Sequence, residues 1–318
     1  MDLEPAALQA LQQIHTFSIQ ERPHKVGVAD FVDLQAWRAR GTLRALLPRI
    51  LKGQDLTAVV DGFVAARQRH RAVIMALGAH VIKCGLSPLL IDMMRRGWLN
   101  ALVLNGAGMI HDLEVALVGA TSEDVAAHLG TGKFGMVHET PCLINEAIQQ
   151  YSNAHVGLGT AVGRALAEGV YPYKDYSLLA IAYMHQVPVT VHVAIGADTI
   201  HMHPSTNGAL LGQATYTDFQ RLTLLLRGLH DGGCYWNVGS AVLLPEVFLK
   251  ALTLCRNLGY RVENFLTVNL DMVQHYRTEY NVVRRPTQDS GHGYSLTGHH
   301  EIMLPLLYAM ILEALGSE

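Results

Sequence analysis

Two histidine-rich segments carry the side chains best suited to chemistry. His201-Met202-His203 would set both imidazoles on one side of an extended segment, a spacing that metal sites use. His299-His300-Glu301, preceded by His292 in a glycine-containing stretch, adds ring nitrogens and a carboxylate. Should the two segments converge, they would hold a divalent metal. Should they not, they line a polar cleft as hydrogen-bonding and acid/base groups, since imidazole titrates near neutral pH. We take the second reading: His299, His300, Glu301 and His201 are the expected catalytic groups, with no metal. Between Arg284 and Tyr294 the chain is polar and reads as a loop. Its adjacent Arg284 and Arg285 either grip a phosphate or carboxylate or belong to a solvated turn.

Three glycine-rich stretches could cradle a phosphate. Asn105-Gly106-Ala107-Gly108 follows an apolar run and precedes a helical pattern, although the dinucleotide fingerprint GxGxxG would want glycine where His111 stands. Gly157-Leu158-Gly159 with Gly163 lies inside a helical stretch, where helix packing or a break explains it better. Gly130-Thr131-Gly132-Lys133 fails as a P-loop, because Ala127 replaces its first glycine and Phe134 its hydroxyl residue.

The elements that must position these residues follow from hydrophobic periodicity. Apolar runs at Val73–Leu77, Ala101–Leu104, Val189–Ile195, Tyr235–Val238 and Phe265–Leu270 show little alternation, so both faces of each strand should be covered. Helical patterns lie near 87–96, 110–128, 142–168, 174–186, 217–229 and 245–257, and Glu301–Leu315 reads as a buried terminal helix. This alternation predicts an α/β fold with a doubly wound, mainly parallel sheet. Residues 1–55 read as an irregular arm broken by Pro5, Pro23 and Pro48, and 56–318 as a single α/β domain. Three strands run into small residues: Asn105-Gly106-Ala107-Gly108, Gly196-Ala197-Asp198 and Gly239-Ser240. Such turns let a ligand approach the backbone, with helix N-termini behind them offering N–H groups to a phosphate.

Composition narrows the function classes. Half of the 318 residues are hydrophobic, only 16% are charged and the mean hydropathy is +0.18, which leaves little polar surface for a monomer and predicts a homo-oligomer. A net charge of −3 gives no footing for nucleic acid. The longest apolar run, Ile302–Leu312, is too short to span a membrane and contains Pro305. Four cysteines without a CxxC pair suit a reducing compartment rather than a zinc or disulfide framework. With no signal-peptide pattern at the acidic start (Asp2, Glu4), the expectation is a cytoplasmic protein acting on a small molecule.

As an ordered set, Lys83-Cys84-Gly85-Leu86-Ser87-Pro88, Asn105 through Asp112, Gly239-Ser240 and Gly298-His299-His300-Glu301 through Pro305-Leu306-Leu307 resemble the deoxyhypusine synthase family over residues 60–312. The resemblance implies a Rossmann-like fold, a homotetramer and NAD held at a dimer interface. In that family NAD oxidises spermidine, an enzyme lysine captures the aminobutyl group as an imine, and a lysine of a translation factor receives it. By position, the resemblance assigns NAD contacts to Cys84, Gly85, Asn105, Gly106, Ala107, Gly108, His111, Asp198, Gly239, Ser240 and Asp271. The departure is chemical. The interval from Thr287 to Gly298, where the family keeps its lysine, has none, and no lysine follows Lys250. Neither arginine nor histidine replaces an amine in imine capture. The expectation is therefore an NAD-binding enzyme acting on an amine or other small metabolite without lysine-imine transfer. A cleft rich in histidine and arginine would favour a less cationic or an anionic substrate. The alternatives are a metal-dependent enzyme built on the His201/His203 and His299/His300/Glu301 clusters, or a catalytically silent assembly protein.

Overall fold

The computed structural model describes residues 9–316, so Asp2, Glu4 and Pro5 lie outside the described residues. Six parallel strands form one sheet: β1 Val73–Leu77, β2 Ala101–Asn105, β3 Val189–His192, β4 Cys234–Val238, β5 Leu266–Asp271 and β6 His292–Thr297. Their order is β3-β2-β1-β4-β5-β6. This is the expected doubly wound α/β fold. The direction of winding reverses between β1 and β4, paired from Val73↔Cys234 to Leu77↔Val238.

The uninterrupted apolar runs are explained by cover on both faces. Val73, Met75, Leu77, Trp236 and Val238 face one core, packed by helices α1 (Leu51–Gln68), α2 (Ser87–Arg95), α3 (Gly106–Val118), α4 (Glu139–Tyr151), α5 (Leu158–Glu168), α6 (Leu178–Met184) and α9 (His300–Leu315). Ile74, Ala76 and Tyr235 face the other, under α7 (Gly208–Leu225) and α8 (Leu243–Asn257). There the Tyr235 ring stacks on Phe248 at 3.7 Å between centroids.

Several boundaries differ from the periodicity. The helical pattern at 142–168 is two helices, broken at 152–157, because Asp218 of α7 needs a helix start there: its Oδ2 accepts the N–H groups of Gly159 and Val191, each at 2.8 Å. A Cβ on Gly157 would lie 1.9 Å from Asp218 Oδ1, so Gly157 and Gly159 are packing glycines rather than a phosphate loop. Similarly, Asp112 on α3 accepts from Ser177 Oγ (2.6 Å) and the N–H groups of Leu178 and Leu179, which starts α6. Burial holds the Asp112 carboxyl up at about 6 and Asp218 at about 7, against the N–H groups that pull both down. Helix α1 begins at Leu51, so position 55, the expected end of the arm, falls inside a helix.

The polar stretch from Arg284 to Tyr294 is not one loop. It closes a π-helical run (Glu279–Arg284), makes a 3₁₀ turn (Arg285–Thr287) and enters β6. As an edge strand β6 keeps polar, partly exposed side chains, which hid it from hydrophobic patterning.

Candidate functional site

At the reversal point the backbones after β1 and β4 touch. Gly78 N–H donates to Val238 O (2.8 Å), and Gly239 N–H to Leu270 O (3.0 Å). A Cβ on Gly78 would fall 2.0 Å from Gly239 O. Gly239 itself has φ +71°, a left-handed conformation that favours glycine. Below the turns, Asn237 Nδ2 donates to Asn269 Oδ1 (2.8 Å) and to Ser240 O (2.9 Å), and Asn269 passes the chain on to Gln274. This buried amide ladder ties the β4 and β5 ends together.

Five side chains gather over these turns. The single helical turn His80–Lys83 after β1 carries His80 and leads to Cys84, with Gly85 at φ +75° closing it. Helix α9 starts beside it with His299, His300 and Glu301. His300 is fully buried: its Nε2 lies 3.3 Å from Leu270 O and 3.9 Å from Asp271 Oδ1, and its ring stands edge-on to His80 at 5.6 Å. With Nε2–H given to that carbonyl, Nδ1 keeps a lone pair and has no partner. Cys84 Sγ sits 3.7 Å from Glu301 Oε2, and His299 Nδ1 lies 3.7 Å from Glu301 Oε1. Burial, then the Glu301 carboxylate, push the Cys84 thiol up, so it stays protonated and donates. Its own backbone N–H, together with Cys84 and His299, holds the exposed Glu301 below the usual carboxylate range. His80, Cys84 and Glu301 offer ligand atoms within 4.8 Å of one another and could hold a metal ion.

The structure brings some of the expected residues together and separates others. Cys84, Gly239, Ser240, Asp271, His299, His300 and Glu301 lie together over these turns, with Gly85 beside Cys84. Around the β2 turn the donors are already engaged. Asn105 Oδ1 accepts Gly108 N–H (2.8 Å), while Asp198 accepts the N–H groups of Ala107 and Ala194 and would meet a Cβ on Gly106 at 2.3 Å. Burial pushes the Asp198 carboxyl up, and its position is where a phosphate would sit on α3. His111 turns to Thr121 Oγ1 (2.6 Å) and Glu114 (3.4 Å).

The His-Met-His segment is a 3₁₀ turn (Thr199–Met202), not an extended run, so its two rings diverge. His201 Nδ1 accepts Gly196 N–H (3.2 Å), whereas His203 Nε2 approaches Cys142 Sγ (3.8 Å). The joint metal centre of these residues with His299, His300 and Glu301 therefore does not form: among the described residues, the ligand-distance groups are His80/Cys84/Glu301 and His138/Cys142/His203. His292 opens β6 at its amino end, whereas His299 follows its carboxyl end, so the strand's length separates the two. Arg284 is held by Glu279 (2.8 Å) and Arg285 by Asn281 (2.6 Å), both over the Tyr280 ring, so neither guanidinium serves the cleft. Sequence reasoning passed over His80 and His138. Their signal was present: His80/Cys84 and His138/Cys142 repeat a His-x3-Cys spacing that puts both side chains on one helical face.

No protein-family model matches the sequence, and no curated protein matches it. Among solved structures, AgrE in ternary complex with ornithine and NAD+ is similar, with a TM-score of 0.53 and 16% identity over 83% of this chain and 33% of that one. ArgZ, an arginine dihydrolase from the ornithine-ammonia cycle in cyanobacteria, gives 0.51 and 15% over 82% and 33%. A candidate deoxyhypusine synthase from Entamoeba histolytica gives 0.46 and 10% over 81% and 87%, too low to argue from. The chain spans about a third of the length of AgrE and ArgZ. At these identities the likeness is one of fold alone: a doubly wound, parallel α/β sheet.

Proposed function

We propose that this chain is a nicotinamide-dinucleotide enzyme acting on a small cationic amine in the cleft over Gly78 and Gly239. The observation that carries the reading is the glycine-on-glycine contact at the reversal point of the sheet, the place where such folds admit a dinucleotide to the backbone. Gly78 packs backbone to backbone on Gly239, so a dinucleotide would lie over the joined turns, where Gly78, Gly239 and Ser240 offer small residues and backbone in place of bulky side chains. The β2 turn has given its donors to Asn105 and Asp198, so the proposal seats the dinucleotide at the β1 and β4 turns. When bound, the nicotinamide supplies a hydride acceptor or donor.

The chain's own groups then divide the remaining work. Glu301, kept ionised, holds an ammonium group by charge. Exposed His299 beside it takes or returns the proton that accompanies hydride movement. Buried His300 braces the Gly239 turn, with its Nδ1 enclosed and without a partner. Because Arg284 and Arg285 are engaged elsewhere, an anionic substrate loses its partners, and the carboxylate favours a cation. Lysine-imine transfer finds no lysine among the groups gathered over the turns; Lys83, one residue before Cys84, is exposed and makes no hydrogen bond to them. A second reading, metal-dependent chemistry, is favoured by one observation: His80, not His201, completes a ligand set with Cys84 and Glu301. Kinship with deoxyhypusine synthases and a homo-oligomeric, tetrameric state belong to the same proposal. Exposed Leu11, Ile14, Phe17, Ile19, Val28 and Phe31 on the N-terminal arm support the oligomer.

Titration calorimetry with NAD+ and NADH tests this reading. Saturable binding, weakened for an amine substrate alone by Glu301→Gln, supports it. No binding of either nucleotide to folded protein refutes it.

A further inference from the structure

We propose that His138, Cys142 and His203 form a zinc site, separate from the cleft and independent of the reading above. His138 immediately precedes α4 and Cys142 lies in its first turn, so one helix face carries both. His203 comes from the turn after β3, sixty-one residues from Cys142 in the chain. Cys142 Sγ lies 3.7 Å from His138 Nδ1, 3.8 Å from its Nε2, and 3.8 Å from His203 Nε2. A tetrahedral zinc with bonds of about 2.3 Å to sulfur and about 2.05 Å to nitrogen sets sulfur–nitrogen separations of about 3.6 Å. The three groups thus already stand near the spacing the ion requires. Either nitrogen of the exposed His138 ring can turn to it.

The surrounding residues hold the ligands as a metal site needs. His203 Nδ1 lies 2.8 Å from Ser205 Oγ, and that hydroxyl also accepts from Asn145 Nδ2 at 2.8 Å. Asn145 stands one helical turn beyond Cys142, so the chain of contacts returns to the element that supplies the thiol. With the ion on Nε2, the neutral imidazole carries its proton on Nδ1 and donates it to Ser205 Oγ, which has a lone pair for each donor. The Ser205 N–H, 3.2 Å from the same Nδ1, is released on that choice of tautomer. Thr206 Oγ1 to Ile200 O (2.7 Å) and Thr206 N–H to His203 O (3.0 Å) fix the turn that presents the ring. One thiolate and two imidazoles are borderline-soft ligands, which select zinc over calcium or magnesium. Binding releases one proton, from the Cys142 thiol, and a water completes the fourth position. The ion would clamp α4 to the segment that carries Asp198 and His201.

Cobalt(II) titration of the purified, metal-stripped chain tests the site through thiolate-to-cobalt charge-transfer absorption. We expect a band saturating at one equivalent, displaced by zinc, lost in Cys142→Ser and retained in Cys84→Ser. His138→Gln, an exposed change that leaves the fold intact by circular dichroism, should weaken binding at least about tenfold, and Ser205→Ala by roughly 10–100-fold. A band that survives Cys142→Ser but vanishes in Cys84→Ser would move the metal to the cleft and overturn the proposal. So would the absence of any band, which leaves only thiol–imidazole hydrogen bonds.

Discussion

Gly78→Ala perturbs the feature on which the functional reading rests. An added Cβ would stand 2.0 Å from Gly239 O, and real Cβ contacts do not fall below 3.0 Å, so the β1 and β4 turns must part by about 1 Å. The atoms in the way are backbone, and Gly239 is pinned by its bond to Leu270 O and by the His300 ring, 3.0 Å from its own would-be Cβ. Overpacking of this kind costs about 1–3 kcal/mol. At roughly 2–4 °C per kcal/mol for a chain of this size class, melting should drop by roughly 2–12 °C. Misplacement by about 1 Å can cost on the order of 100-fold in positioned chemistry, and we expect NAD+ affinity to fall at least about tenfold. Gly212→Ala is the control: it sits inside α7 with nothing within 4 Å, so it should gain about 0.5–1 kcal/mol and bind NAD+ normally. Thermal melts and calorimetry on both variants decide the matter. A Gly78→Ala protein that melts and binds like the wild type would refute the reasoning.

Other outcomes follow from the same geometry. Asp198→Asn should lower melting by weakening the α3 start, about 0.5–2 kcal/mol, and leave NAD+ affinity unchanged; a tenfold gain, from removing a negative charge where a phosphate would sit, would put the phosphates at the β2 turn instead. Asp218 has a folded value raised to about 7 against about 3.9 unfolded, so the native state holds more protons between those values and its contribution to stability falls as pH rises through that window. Urea denaturation should therefore show the wild-type advantage over Asp218→Asn shrinking from pH 4.5 to 7.5, and a constant difference would contradict this. Once a turnover assay exists, His299→Gln should reduce kcat about 10²–10⁴-fold with NAD+ affinity retained, as loss of a proton-transfer group does.

The sheet was legible in the sequence because five strands are buried on both faces and read as unbroken apolar runs. β6 was not, because an edge strand with His292, Tyr294 and Ser295 part-exposed has no such signature. The break at 152–157 has a local trace in Gly157 and Gly159, read as packing or break glycines, but its cause, Asp218 on a distant helix, is not visible in that stretch. The sequence singled out Cys84, His299, His300 and Glu301, which the structure brings together, but not His80 beside them. His80 enters only because β1 and β4 adjoin in space. His201 and His203 were read as a pair from spacing that assumed an extended backbone. A 3₁₀ turn sends one ring to Gly196 and the other to Cys142. Arg284 and Arg285 looked like anion binders because their partners Glu279 and Asn281 lie on the preceding turn and satisfy them.

The central claim is that a dinucleotide lies across the turns after β1 and β4. A crystal of the protein soaked with NAD+ tests it most directly. The account predicts density over Gly78 and Gly239, with the nicotinamide beside His299, His300 and Glu301. Density confined to the β2 turn at Asp198, or an ordered cleft with no nucleotide at saturating NAD+, would contradict it.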